Sequence, residues 1–246
     1  MRVRKALGID FGGSGIKGGV VDLAGGRLVS ERFRLPTPQP AKPRRVAEVV
    51  AEVVNHFRWR GRVGCTVPGV VRNGRVETAA NIHPSWIGVN AERLLAGAIG
   101  RPVTVLNDAD AAGLAEVEWG VVAARRGVVL LLTFGTGIGS ALLVDGRLVP
   151  NTELGHLEYK GRVAEDWTSA QQQEAIGWSR WARRVNRYIA HVDRLFSPDL
   201  IVLGGGITKE ADRFLHLLDV RPRVRIATLK NNAGIAGAAL AAARTK

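Results

Sequence analysis

The sequence predicts an α/β protein of two domains, each built on a copy of one β-meander. Three observations carry this. The first is an internal repeat. DFGGSGIKGGVVDLAGGRLV begins at Asp10, and TFGTGIGSALLVDGRLV begins at Thr133. Phe11-Gly12 aligns with Phe134-Gly135 and, without a gap, Val21-Asp22 with Val144-Asp145. The second is punctuation: each copy reads as strand, glycine turn, strand, second turn and third strand. The third is alternation: beyond each copy, helical stretches alternate with short apolar strands, the pattern of an α/β fold.

In chain order, TPQPAKP is a loop after the first meander. Residues 45–58 carry Val46, Val49, Val50, Val53, Val54 and Phe57 at helical spacing. Residues 103–106 are a short apolar strand. A helix over 109–119 comes next, its start marked by Asn107 and Asp108. After the second meander, one long helix is expected over 170–196. Pro198 stops it, and the buried strand 200–203 ends in Gly204-Gly205-Gly206. The tail AGIAGAALAAARTK is a helix of small residues. The expected division is a smaller domain over 1–107 and a larger one over 108–232. The tail helix, about 233–246, packs back on the first.

The density of glycine in GIDFGGSGIKGG raises the question of a nucleotide-binding P-loop. That motif needs a strand, GxxxxGK[ST] and a helix. Here Lys17 is followed by Gly18-Gly19, and Val20-Val21 continue as a strand. The dinucleotide fingerprint GxGxxG fails for the same reason. The segment is a hairpin turn, whose amides can form an anion nest because glycine lets an anion approach the backbone. For one loop, a turn that only solves a packing problem is an equal alternative. Two matching loops favour a ligand gripped from both sides of a cleft.

Composition excludes several classes. The chain has 246 residues, 46% hydrophobic and 23% charged, ordinary for a globular protein. No run of 18 apolar residues and no signal peptide is read, so no membrane partner is expected and a cytoplasmic enzyme fits. The single Cys65 excludes an internal disulfide and a multi-cysteine zinc site. Lys+Arg number 35 against 22 Asp+Glu, a net charge of +13 that attracts polyanions.

Taken together, LGIDFGGSGIKGG, Asn107-Asp108, LTFGTGIGSALLVDGRLV, the Glu153-Leu-Gly-His156 stretch and LIVLGGGI resemble the ROK family of sugar kinases and repressors, within the actin/hexokinase-like (ribonuclease H-like) superfamily. These motifs span nearly the whole chain in the family's order. The resemblance implies that Asp108 is the catalytic base for phosphoryl transfer and Asn107 a sugar ligand. Plain N-capping is the alternative reading of the Asn107-Asp108 pair. Glu153, His156 and Glu165 would bind sugar hydroxyls, with Asn81 a further member. Glu165 as a helix-start carboxylate is the alternative. Many ROK members carry a zinc cysteine cluster after the Glu-x-Gly-His motif. Here that segment is LEYKGRVAEDW, so no zinc is expected.

Lacking zinc, the chain is similar to one branch, the polyphosphate glucokinases, including those that accept ATP. By that resemblance the 6-hydroxyl of glucose attacks the terminal phosphorus of polyphosphate. Asp10, Gly12, Gly13, Ser14, Lys17, Thr133, Gly135, Thr136, Gly137, Gly205 and Gly206 would bind phosphate or nucleotide. Mg2+ would sit near Asp10 through water. A polyphosphate track is expected among Arg180, Arg183, Arg184, Arg187 and Lys230, since arginine matches phosphate oxygens in a bidentate way. A solvated basic face is the alternative. A homodimer is implied by resemblance. The competing readings are an ATP-dependent kinase for glucose, mannose or an N-acetylhexosamine, a sugar sensor without catalysis, and a DNA-binding repressor. With about six residues before the first strand, no helix-turn-helix is expected, and no nucleic-acid motif is read.

Overall fold

The computed structural model describes residues 4–80, 82–123 and 125–245. The chain divides into two compact units, Met1–Trp119 with Asn232–Lys246, and Gly120–Asn231. The sequence reading opened the second domain at 108. The structure groups the helix after Asn107 with the first unit instead.

In the first unit β1 (Lys5–Phe11), β2 (Gly15–Asp22) and β3 (Arg27–Leu28) form the expected meander, and β4 (Phe33–Pro36) pairs with β2. Helix α1 (Pro43–His56) begins two residues before the expected position, with Pro43 in its first turn, where a missing amide costs nothing. Its valines at 46, 50, 53 and 54 are buried. β5 (Val63–Val67) joins the sheet parallel to β1, and β6 (Val71–Arg72) and β7 (Arg75–Val76) make a small ribbon. Helix α2 (Ala91–Ile99) is capped by Asn90 Oδ1, which accepts from Arg93 N at 2.9 Å. β8 (Val103–Asn107) completes the sheet order β3-β2-β1-β5-β8, and α3 (Asp108–Trp119) continues from it without a loop.

The second unit repeats the plan. β9 (Val128–Phe134), β10 (Ile138–Val144) and β11 (Arg147–Val149) are the second meander. A two-strand hairpin comes next, β12 (Glu158–Tyr159) with β13 (Arg162–Val163). Then come α4 (Glu165–Thr168), α5 (Ala170–Ile176) and α6 (Trp178–Phe196). The expected single helix over 170–196 is thus two. Gly177 stands between them at φ +76°, outside helical geometry, so the second segment starts on a new axis. β14 (Leu200–Gly204) and β15 (Arg223–Ile226) extend the sheet to β11-β10-β9-β14-β15. The buried face of α6 presents Trp181, Val185, Tyr188, Ile189 and Val192 to a core that includes Leu130, Leu132, Phe134 and Phe214.

The chain then returns to the first unit as α7 (Ala233–Arg244). Its alanines and glycines let it lie directly on the sheet. Gly8 and Gly64 are register partners on β1 and β5. A Cβ on Gly64 would stand 1.8 Å from Ala238 O, and one on Gly8 1.9 Å from Ile235 O. No larger residue fits at either position. Helix α3 packs on α7, and that contact groups residues 108–119 with the first unit.

The gapless alignment of the repeats is corrected by the strand register. Phe11 pairs with Ile16 across the first turn, but Phe134 pairs with Ile138 across the second. The second turn is one residue shorter, so the partner of Val21 in the repeat is Leu143, not Val144. Leu143 is buried and Val144 exposed. A one-residue slip in a strand exchanges its two faces, and the shorter turn keeps the apolar face inward. Among the described residues, no helix is long and apolar enough to cross a membrane.

Candidate active site

In the first unit the turn 12–15 is closed by Gly12 N donating to Gly15 O at 3.1 Å. That amide is spent on the turn, so it is not one of the nest donors expected from the sequence. Gly13 and Ser14 are exposed. The carbonyls of the loop are held by neighbours. Thr37 Oγ1 donates to Gly12 O at 2.6 Å, Gln39 Nε2 to Gly13 O at 3.4 Å, and Arg34 Nη2 to Ser14 O at 3.0 Å. A pocket of about 300 Å³ beside this turn is lined by Gly13, Gln39, Pro40, Ala41, Ala80, Ile82 and His83. Asn81, the candidate sugar ligand on this stretch, lies outside the described residues.

Asp10 sits at the end of β1, opposite Lys17 in register. Its Oδ2 is 3.4 Å from Lys17 Nζ, and its Oδ1 accepts from Thr66 Oγ1 at 3.1 Å. Thr66 Oγ1 in turn accepts from Phe11 N at 3.0 Å. Thr66 therefore fixes the carboxylate to the strand. The sequence reading missed it, because a threonine inside an apolar strand carries no local signal. Cys65, on the same strand, is fully buried. Burial, and then the Asp10 charge, push its thiol up, so it behaves as an inert core group.

Asn107 and Asp108 stand where β8 becomes α3. Asn107 is 5% exposed and caps the helix: its Oδ1 accepts from Ala109 N at 2.8 Å and Asp110 N at 3.0 Å. Its Nδ2 donates to Gly69 O at 3.1 Å. The capping alternative is therefore realised for Asn107, and the cap holds the neighbouring residue in place. Asp108 is half-buried at the first position of the helix, with Oδ1 accepting from Ala109 N at 2.9 Å.

In the second unit the turn 135–137 is closed by Gly135 N donating to Gly137 O at 2.9 Å. Gly135 N, like Gly12 N, is thereby lost to the nest, and Thr136 is exposed. Thr133, the counterpart of Asp10, is half-buried and pairs with Gly139 and Gly204. Gly205 approaches the second hairpin closely: a Cβ there would stand 2.3 Å from Phe134 O. Gly206 is exposed and opens a 3₁₀ segment.

The structure brings Glu153, His156 and Glu165 together. Glu153 precedes the 3₁₀ turn Leu154–His156, so the spacing is not a helical metal pair. His156 Nε2 is 3.4 Å from Glu165 Oε1. Glu165 Oε2 accepts from Ile138 N at 3.0 Å, directly after the turn 135–137. Ala170 N donates to Gly135 O at 3.0 Å. Burial pushes the Glu153 carboxyl up, His156 pulls it down and Glu165 raises it again. The loop is also tied to β10: Ser140 Oγ donates to Thr152 O at 2.7 Å and accepts from Leu154 N at 2.9 Å. Tyr188 OH donates to Leu154 O at 3.0 Å. Its own burial and then the Glu165 charge push the phenol up, so it stays a donor.

Of the expected polyphosphate track, Arg180, Arg183 and Arg187 are exposed on α6 and Arg184 is half-buried. Lys230 is exposed after β15. Among the described residues, no group of three or more His, Cys, Asp or Glu side chains is arranged to hold a metal ion.

A model of the ROK family matches residues 6–172. Polyphosphate glucokinase of Mycobacterium tuberculosis (strain CDC 1551 / Oshkosh) is 52% identical over 241 residues, 97% of this chain and 91% of that protein. The solved structure of an inorganic polyphosphate/ATP-glucomannokinase from Arthrobacter sp. strain KM superposes with a TM-score of 0.94 at 50% identity, covering 97% of this chain and 98% of the other. A ROK family glucokinase from Streptomyces griseus, solved with glucose and AMPPNP, shares the fold at 23% identity, with a TM-score of 0.84 over 98% of this chain and all of that one. The two-unit α/β architecture, each unit built on a β-meander, is the actin/hexokinase-like one that the sequence motifs implied, and the chain belongs to the ROK family.

Proposed function

We propose that this protein is a phosphotransferase that phosphorylates glucose at the 6-hydroxyl with inorganic polyphosphate as donor, and that it also accepts ATP. One observation of the site carries the reading: the carboxylate of Glu165 joins the candidate sugar cluster to the first residue after the turn 135–137. Sugar recognition and phosphate recognition are thereby built into one hydrogen-bonded unit, as transfer between two bound substrates requires. Glu153, His156 and Glu165 bind sugar hydroxyls, carboxylates accepting and imidazole completing the set. Asp108 accepts the proton of the 6-hydroxyl as its oxygen attacks the terminal phosphorus, and the shortened polyphosphate leaves. Asn107 holds Asp108 in position through the helix cap. Backbone amides at Gly13, Ser14, Thr136 and Gly137 receive phosphate oxygens.

The residues present suit a magnesium ion held mainly by the donor. Asp10 offers one carboxylate, already 3.4 Å from an ammonium, so it would hold Mg2+ through water, and the ion would screen phosphate charge. The strong similarity to proteins described as polyphosphate glucokinase and polyphosphate/ATP-glucomannokinase supports this donor choice. A donor panel with glucose tests it. Turnover with tripolyphosphate, long-chain polyphosphate and ATP is expected. Turnover with ATP alone would sink the polyphosphate assignment.

A further inference from the structure

A pocket of about 300 Å³ in the second unit is lined by Tyr159, Lys160, Arg162, Trp167, Arg184 and Arg187. Local chemistry builds it. The two-residue turn between β12 and β13 has Lys160 at φ +53° and Gly161 at φ +71°, the left-handed pair that a tight hairpin needs. The turn lifts Lys160 and Arg162 into solvent, where both are exposed. Tyr159 stacks on Trp167 with centroids 6.0 Å apart, and Lys160 Nζ is 5.5 Å from the Tyr159 ring centre. Helix α6 adds Arg184 and Arg187 one turn apart. Arg184 Nη1 donates to Trp167 O at 3.0 Å and to Gln172 Oε1 at 3.5 Å, so neutral acceptors aim it.

Four cations thus surround one cavity, and among the described residues no carboxylate is ion-paired with any of them. The pairs present involve Lys17, His156, Arg213, Arg221 and Arg244. Of the acids nearest in sequence, Glu158 and Asp166 are exposed and Glu165 pairs with His156, and none pairs with any of the four. Like charges gathered without a counter-ion favour a bound polyanion. A second feature agrees. Trp167 is 8% exposed, and its Nε1 is buried without a hydrogen-bond partner. A buried donor left unpaired costs stability that an acceptor oxygen would restore. The Tyr159 ring already stacks on Trp167, which leaves little aromatic surface for a nucleotide base.

We propose that this pocket is a second phosphate site, holding the part of a polyphosphate chain that lies behind the phosphate being transferred. The proposal rests on the phosphotransferase reading above. Reach allows it. Three residues of chain, at most about 11 Å, separate Trp167 from Ala170, whose amide bonds Gly135 O. The Arg184 and Arg187 expected on a polyphosphate track belong to it. Lys160 and Arg162, which the sequence reading left unassigned, complete it.

The test is kinetic and uses the full-length protein with saturating glucose. Lys160→Ala/Arg162→Ala is compared with wild type on long-chain polyphosphate, tripolyphosphate and ATP. The KM for long-chain polyphosphate is expected to rise about tenfold or more, the loss of charge-assisted phosphate contacts, with kcat and both short-donor KM values unchanged. Lys160→Glu/Arg162→Glu, also on the exposed turn, should raise the long-chain KM further. An unchanged long-chain KM in both variants overturns the second site and leaves the phosphotransferase reading intact. An equal loss on all three donors overturns it too, as would loss of duplex DNA binding with unaltered polyphosphate kinetics. Wild type without turnover on any polyphosphate overturns the parent reading and the site with it.

Discussion

The turns 12–15 and 135–137 are closed in the same way and held in different ways. Each spends the amide of its first glycine on a carbonyl within the turn. The first is then braced by side chains of Arg34, Thr37 and Gln39 on its carbonyls. The second is braced by the Ala170 amide and by Glu165 on the next residue along. Before the shared phenylalanine the first carries Asp10, fixed by Thr66 and facing Lys17, and the second carries Thr133. The repeat supplies two turns closed alike. Their supports diverge: one has an acidic neighbour, Asp10, and the other the cluster of Glu153, His156 and Glu165. The units differ in packing as well. The first lays a helix of small residues on glycines of its sheet, whereas the second buries the aromatic and aliphatic face of α6.

That contrast can be broken most severely by adding one methyl group to each sheet. Gly64→Ala drives a Cβ to within 1.8 Å of Ala238 O, backbone that cannot yield. A loss of about 4 kcal/mol or more is expected, read as loss of folded protein or of the denaturation midpoint. Gly204→Ala meets only a methyl of Thr133 at 3.1 Å, and a cost of about 1 kcal/mol is expected from mild overpacking. Equal costs would mean that the two units pack alike.

Asp108→Asn divides catalysis from binding. Turnover should fall about 10²- to 10⁴-fold, while calorimetry still detects glucose. Undiminished turnover would remove Asp108 from the role of base.

Glu153→Gln tests the cluster of the second unit. The glucose KM should rise about 10- to 100-fold through loss of a charge-assisted bond. Stability should move the other way. Burial raises the folded-state pKa of Glu153 above its unfolded value, so the folded state holds this proton more tightly. That contribution is present at low pH and is lost as pH rises through the folded value. At neutral pH the buried charge is a cost, and the glutamine variant should melt above wild type, with the gap closing as pH falls into the usual carboxylate range. A variant that melts lower at neutral pH contradicts this.

A further effect concerns the support of the first turn. Thr66→Val strands the Phe11 amide and removes one donor from Asp10. A loss of about 1–3 kcal/mol is expected, together with a weaker dependence of donor KM on Mg2+ concentration. A donor KM that keeps its full Mg2+ dependence would separate Asp10 from the ion.

Much of this was legible in the residues. The meanders showed in their glycine turns and repeated Gly-Arg-Leu-Val, α1 in its valine spacing, and β14 in its apolar run. Asn107 announced the start of α3 because capping is local chemistry. The break at Gly177 was not legible, because the residues on either side have helical composition and glycine is tolerated inside helices at modest cost. The repeat was visible but its register was not, since one deleted residue in a glycine turn leaves little trace. Glu153, His156 and Glu165 could be named from motifs, but their meeting depends on the loop being tied to β10 by Ser140 and Thr152.

The sequence by itself determined what short-range physics controls: strand and helix periods, turn types, caps and an excess of positive charge. It also carried the motifs that mark the ROK family. Only the tertiary structure decided which charges find partners. Arg221 and Arg244 are matched by Asp193 and Glu118 from distant positions, while Lys160, Arg162, Arg184 and Arg187 gather around a cavity with no ion-pair partner among the described residues. Ion pairing falls off within a few ångströms, so it depends on proximity in space, which the order of residues along the chain does not state.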